Sequence, residues 1–117
     1  AWAVAEKMLD GLDPELIRKQ QEALRRSESE GQRRMLDPNR GSVSDLEIHP
    51  GLWAGVGLVR GGAGTALVGS HREVADLIKE YIAVGFEEFV LSGYPCLEEA
   101  YWFGEGVRPL LANAGLL

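Results

Sequence analysis

At 117 residues, with 45% hydrophobic and 26% charged side chains, the chain has the composition of one modest globular unit, and neither that of a disordered segment nor that of a membrane protein. Its formal net charge of -6 and pI near 4.9 weigh against a surface built for nucleic acid or anionic lipid, because phosphate binding needs a net positive face. The single cysteine, Cys96, rules out an internal disulfide framework and fits a reducing cytoplasm, and no apolar run reaches the about 18 residues that a membrane span needs.

The chain opens without methionine and without a signal-peptide pattern, already inside a helical repeat, as a piece cut from a longer protein would. Trp2, Ala5, Met8 and Leu9 recur at helical spacing up to Gly11 and predict a short amphipathic helix. Asp13-Pro14-Glu15 then supplies an N-cap, a proline for the first helical position and an acid for the first turn, opening a second helix through Leu16, Ile17 and Leu24. From Arg25 to Arg40 the apolar content collapses. Arg25, Arg26, Arg33 and Arg34 alternate with Glu28 and Glu30, and only Met35 and Leu36 offer anything to bury, so a solvated helix or a mobile segment is expected. Weak order is expected to continue through Pro38, Gly41, Ser42 and Ser44. The composition break at residues 37–51 is the candidate boundary between a helical, charged front (1–51) and an α/β rear (52–117).

In the rear, Leu52–Val59 is apolar on both faces and predicts a strand covered on both sides, with a short continuation at Thr65–Val68. Ser70 and Glu73 have capping-box spacing for a helix that runs to Val84 and is closed by Gly85, with Val74, Leu77, Ile78, Tyr81 and Ile82 as its apolar stripe. Phe86–Leu91 is the next predicted strand. A last helix follows from about Leu97, with Leu97, Ala100, Tyr101, Phe103, Val107 and Leu111 facing inward and Pro109 ending or bending it. Residues 52–111 thus read as a β-α-β-α unit with parallel strands and a right-handed crossover.

Two turns carry the chemistry. Arg60-Gly61-Gly62-Ala63-Gly64 follows the first predicted strand, and Ser92-Gly93-Tyr94-Pro95 follows the second, which places both at one edge of a parallel sheet. A guanidinium held in a glycine loop can grip an anion, although glycines there also serve a bulge or a tight bend. The loop has neither the Gly-Lys-Ser/Thr of a phosphate-binding loop nor the third glycine of a dinucleotide fingerprint. The Tyr94 phenol can donate to a phosphate or an oxyanion, or pack against the last helix; Ser92 and the Gly93 N–H can form an anion nest beside it. Cys96 stands at the same helix start, where the dipole can acidify a thiol or a buried cysteine can simply fill space. His49 and His71, 22 residues apart without an acidic or thiol ligand in register, predict no metal site and read as surface or loop histidines. Glu98 and Glu99 suit a helix N-terminus, and the arginines between 18 and 40 are offset by Glu15, Glu22, Glu28 and Glu30 as on a solvated face.

The stretch Leu52–Gly69, and Ser92-Gly93-Tyr94-Pro95 followed by Leu97-Glu98-Glu99-Ala100-Tyr101, resemble in order and spacing the reduced-flavin-dependent alkanesulfonate monooxygenases of the bacterial-luciferase-like superfamily. Ser29-Glu30-Gly31-Gln32-Arg33-Arg34-Met35 is similar as well. The resemblance implies a (β/α)8 barrel that uses reduced FMN and oxygen to cleave the carbon–sulfur bond of an alkanesulfonate, giving an aldehyde and sulfite. It covers the C-terminal third of such an enzyme, with Leu52–Val59 and Phe86–Leu91 as the seventh and eighth barrel strands and residues 1–51 as a helical insertion and mobile loop. It also implies that Arg60 guards the active site, that Tyr94 lies in the flavin and substrate pocket, and that Ser92 and Gly93 face the flavin phosphate. Cys96 departs from the histidine that the family carries after Tyr-Pro, and Gly104 and Gly106 thin the last helix. The catalytic positions of the earlier strands fall outside the match, so the chain is expected to be inactive and unable to hold FMN alone. A flavin reductase, a homodimer or higher oligomer, and a cytoplasmic setting complete the expectation; an association module without catalysis is the alternative, and anion binding without chemistry a third.

Overall fold

The structure, a computed structural model, describes residues 1–26, 29–34, 45–59 and 64–117, apart from the side chains at 32 and 33. They form two compact units, Ala1–Val68 and Gly69–Leu117, in a molecule of mixed helices and one small sheet. The composition break at residues 37–51 lies within the first unit.

In the first unit, Trp2–Leu9 form α1, which stops ahead of Gly11, a glycine at φ 76°. Pro14–Arg25 form α2, entered as the sequence predicts: the Glu15 N–H donates to Asp13 Oδ1 at 2.9 Å and Pro14 takes the first helical position. Glu30–Arg34 form α3. Along α2 and α3, Lys19 pairs with Glu15 at 3.7 Å and Arg34 with Glu30 at 3.0 Å, both one turn apart and exposed. Such pairs stabilise a helix by only about 0.3–0.5 kcal/mol each, which suits a solvated face. Residues 35–44, on which most of the expected weak order falls, lie outside the described residues.

Glu47–His49 (β1) and Leu52–Trp53 (β2) form a hairpin around Pro50-Gly51, and Ala66–Leu67 (β3) pairs on the other side of β2; both pairings are antiparallel. Proline followed by glycine at φ 77° suits a tight turn that needs a left-handed second corner. Glu47 Oε1 accepts from the Gly51 N–H at 3.0 Å, and the Val68 N–H donates to the Gly51 carbonyl at 2.8 Å, holding all three strands to that turn.

The strand expected over Leu52–Val59 therefore ends at Trp53, and Val56–Val59 form a short helix, α4. A strand persists only where neighbours take up its backbone groups. The flanking β1 and β3 span three and two residues, so beyond Trp53 the backbone closes locally: the Gly57 N–H donates to the Ala54 carbonyl at 3.3 Å and the Leu58 N–H to that of Gly55 at 3.0 Å. Ala5, Leu46, Trp53, Ala54 and Leu58 make the buried core of this unit, with Met8, Leu9 and Ile17 packed around them.

The second unit begins with α5, His71–Ala83, whose start has both halves of the capping box: the Glu73 N–H donates to Ser70 Oγ at 3.3 Å, and the Ser70 N–H donates to Glu73 Oε2 at 2.7 Å. Its end is a Schellman turn. Gly85 takes φ 105°, its N–H donates to the Ile82 carbonyl, and the Phe86 N–H donates to that of Tyr81. The Tyr81 and Phe86 rings meet edge-on with centroids 5.3 Å apart, the apolar contact that accompanies this turn, and Phe89 joins them at 6.4 and 6.3 Å.

That aromatic trio overturns the second expected strand. Phe86–Leu91 is not a strand, because its first residue is tied back to α5 and, among the described residues, this unit holds no strand for it to pair with. The parallel β-α-β crossover predicted for residues 52–111 is thus absent among the described residues, where the strand pairs are antiparallel and precede α5.

Cys96–Trp102 form α6, Phe103–Val107 a π-helical segment and Arg108–Asn113 α7, one continuous run that passes through Pro109. Proline lacks an N–H and crowds the carbonyl four residues back. The wider π turn, in which the Arg108 N–H donates to the Phe103 carbonyl, accommodates both defects, so Pro109 does not end the helix. Ala75, Leu77 and Ile78 of α5 are buried, as are Val107 and Leu111, where α5 packs on the π segment and α7. The inward face predicted for the last helix holds only for that half: Leu97, Ala100 and Tyr101 on α6 are exposed, because α5 spends its apolar stripe on the later turns. Among the described residues no helix is long and apolar enough to cross a membrane.

Candidate functional site

The turn Ser92–Pro95 is positioned by the two helices it joins, α5 through the aromatic trio and α6 through its first turn. Pro95 is the N-cap of α6, its carbonyl accepting the Glu99 N–H at 3.2 Å, and the Tyr94–Pro95 peptide is cis. Tyr94 is 57% exposed, so it is not buried under the last helix. Cys96 is also exposed, and its thiol donates to the Gly93 carbonyl at 3.1 Å, which makes it a brace for the turn and not buried filler.

Gly93 has a steric reason to be glycine. A Cβ there would collide with the Cβ and Cγ of Glu99, so the backbone of the turn lies directly against a glutamate side chain. Glu98 and Glu99 occupy the first turn of α6, where carboxylates complement the helix dipole. The Cβ and Cγ of Glu99 therefore lie against the Gly93 backbone, in the turn where a phosphate was expected. Between Lys79 and Arg108 the sequence holds Glu80, Glu87, Glu88, Glu98, Glu99 and Glu105 and neither lysine nor arginine. A dianion such as the FMN phosphate is held by converging donors and positive charge, and residues 80–107 supply no lysine or arginine of their own.

Arg60 lies outside the described residues, together with Gly61, Gly62 and Ala63. Of the four predicted site residues, the structure brings together Ser92, Gly93 and Tyr94, which are consecutive in one turn. His49 is exposed on β1. His71 opens α5, with its ring 6.1 Å from that of Trp102 and against Gly106, where a Cβ would strike the imidazole. Among the described residues no group of three or more His, Cys, Asp or Glu side chains is placed to hold a metal ion.

Sequence reasoning missed the apolar surface that surrounds the turn. Val84, Phe86, Val90, Leu97, Tyr101 and Trp102 are all at least half exposed, and Val90 is 101% exposed. A shallow groove of about 440 Å³ runs along Val84, Gly85, Phe86, Glu87 and Glu88. The signal was present in the sequence: large apolar residues interleaved with glutamates, without a cation, where a covered strand and helix were expected. No family model matches this chain.

Proposed function

We propose that the chain supplies the C-terminal part of a reduced-FMN-dependent alkanesulfonate monooxygenase of the luciferase-like superfamily, a cytoplasmic (β/α)8-barrel enzyme. The observation that carries this reading is the pair of motifs, Leu52–Gly69 with Arg60 and Ser92–Tyr101 with Tyr94, in the order and at the spacing of that family. In the assembled enzyme the reduced flavin and oxygen supply the chemistry that cleaves the carbon–sulfur bond. This chain brings a loop guanidinium, Arg60, suited to an anionic sulfonate, and an open phenol, Tyr94, able to donate a hydrogen bond to an oxyanion. The residues that hold the flavin belong to strands outside the resemblance, and the chain alone is inactive.

A gene product that joins these residues to the earlier barrel strands is expected to bind reduced FMN and to release sulfite from an alkanesulfonate. Absence of both flavin binding in the titration and sulfite in the assay would overturn the assignment. Tyr94→Phe in that protein should lower kcat/KM by about 10- to 100-fold, the loss of one donor to developing charge.

A second reading, a non-catalytic association module, is favoured by the exposed apolar side chains between Val84 and Trp102, which are the feature that water tolerates least.

A further inference from the structure

We infer that the surface of residues 84–102 docks a basic amphipathic helix of a partner protein; this inference rests on the association reading above and names the partner's chemistry. Two properties of one chain segment select that occupant.

The first is apolar exposure. Val84, Phe86, Val90, Leu97, Tyr101 and Trp102 present aliphatic and aromatic area to water, and burying it is favourable by about 25 cal/mol per Å². Val84, Phe86, Glu87 and Glu88 lie together around one shallow, open depression, so apolar and acidic groups share that part of the surface.

The second is charge. Residues 80–107 carry six glutamates and no lysine or arginine, and Glu87 and Glu88 line the groove itself. A second copy that met this surface through the same surface would set these carboxylates against their own kind, as a two-fold contact requires. Like charges across a drying interface repel more strongly than they do in water. A helix with leucine-like anchors on one face and lysine or arginine on its flanks meets both demands: the anchors cover the apolar side chains and the cations pair with Glu87, Glu88, Glu98 and Glu99. The exposed rings of Tyr94, Tyr101 and Trp102 add faces that attract a cation.

The test uses the full chain and two synthetic helices of about 18 residues, roughly five turns, one of leucine and lysine and one of leucine and glutamate in the same pattern. The leucine–lysine peptide is expected to bind, read by fluorescence anisotropy, and to weaken at least about tenfold between low and high salt. The leucine–glutamate peptide is expected not to bind. Glu87→Lys with Glu88→Lys should weaken the leucine–lysine peptide by about tenfold or more, and Val90→Ser by several-fold; since these side chains are exposed, the fold is kept. Glu6→Lys with Asp10→Lys, both exposed in the first unit, makes the same change in net charge and should change nothing, which separates this surface from the charge of the whole chain.

Equal binding of both peptides, or binding indifferent to the Glu87, Glu88 and Val90 changes, would overturn the proposal. Self-association at low salt that Val90→Ser abolishes would also overturn it, leaving the association reading intact with a second copy as the occupant. Binding to neither peptide in a chain that stays monomeric would remove the association reading as well.

Discussion

Two glycines are set by what lies against them. Gly55 lies two residues after the buried Trp53, and a Cβ at that position would clash with two ring carbons of the indole. Gly55→Ala is therefore expected to destabilise the first unit by about 1–3 kcal/mol, the usual result of overpacking a filled core, with a shift in Trp53 fluorescence in the same denaturation experiment. An unchanged midpoint would show that the indole has room to move. Gly93 differs in kind: its obstacle is the Cβ of Glu99, and Glu99 is exposed. Glu99→Gly should make Gly93→Ala tolerable, so the pair of changes should be less harmful than the sum of the two singly, a coupling that a double-mutant cycle reads.

At the scale of elements, α5 is the best specified part of the chain, because its start, stripe and stop are all local. The Glu73 carboxyl is held below the usual carboxylate range, first by the hydrogen bond from the Ser70 N–H and then by the Ser70 hydroxyl. Asp76 is held down by its hydrogen bond from Lys79, 2.7 Å away. A carboxyl acidified by folding stabilises the native state above its unfolded-state pKa, and the contribution fades as pH falls through the folded value. Ser70→Ala is expected to cost about 1 kcal/mol at neutral pH, and the difference from wild type should narrow in acid as Glu73 protonates. Denaturant titrations at neutral pH and below the carboxylate range check both parts. The last helix shows the opposite case. Its continuation through Pro109 depends on a π turn, which no pattern of apolar residues announces, and on α5 being present to bury Val107 and Leu111.

For the molecule as a whole, apolar exposure and negative charge act against one another. A formal charge of -6 adds a repulsive contribution to any contact between two copies at low ionic strength. At about 1 M salt the screening length falls to about 3 Å, and the surface at residues 84–102 should then drive self-association measurable by sedimentation velocity. Association that declines with added salt would mean that attraction between opposite charges holds the copies together.

What could be read from the sequence alone was what neighbours along the chain decide. The Asp13-Pro14-Glu15 entry to α2, the capping box and glycine stop of α5, the turn glycine after α1 and the solvated arginine pairs all depend on contacts within a few residues. The hairpin around Pro50-Gly51 was not read from the sequence, because its arms are too short for alternation to register. Tertiary structure decided the rest. Leu52–Val59 and Phe86–Leu91 have strand composition, yet a strand is a property of a pair, and neither stretch is supplied with a partner along its length. Trp53 enters a core with α1, Phe86 closes onto Tyr81, and the apolar residues of Val84–Trp102 remain exposed while α5 packs on Val107 and Leu111.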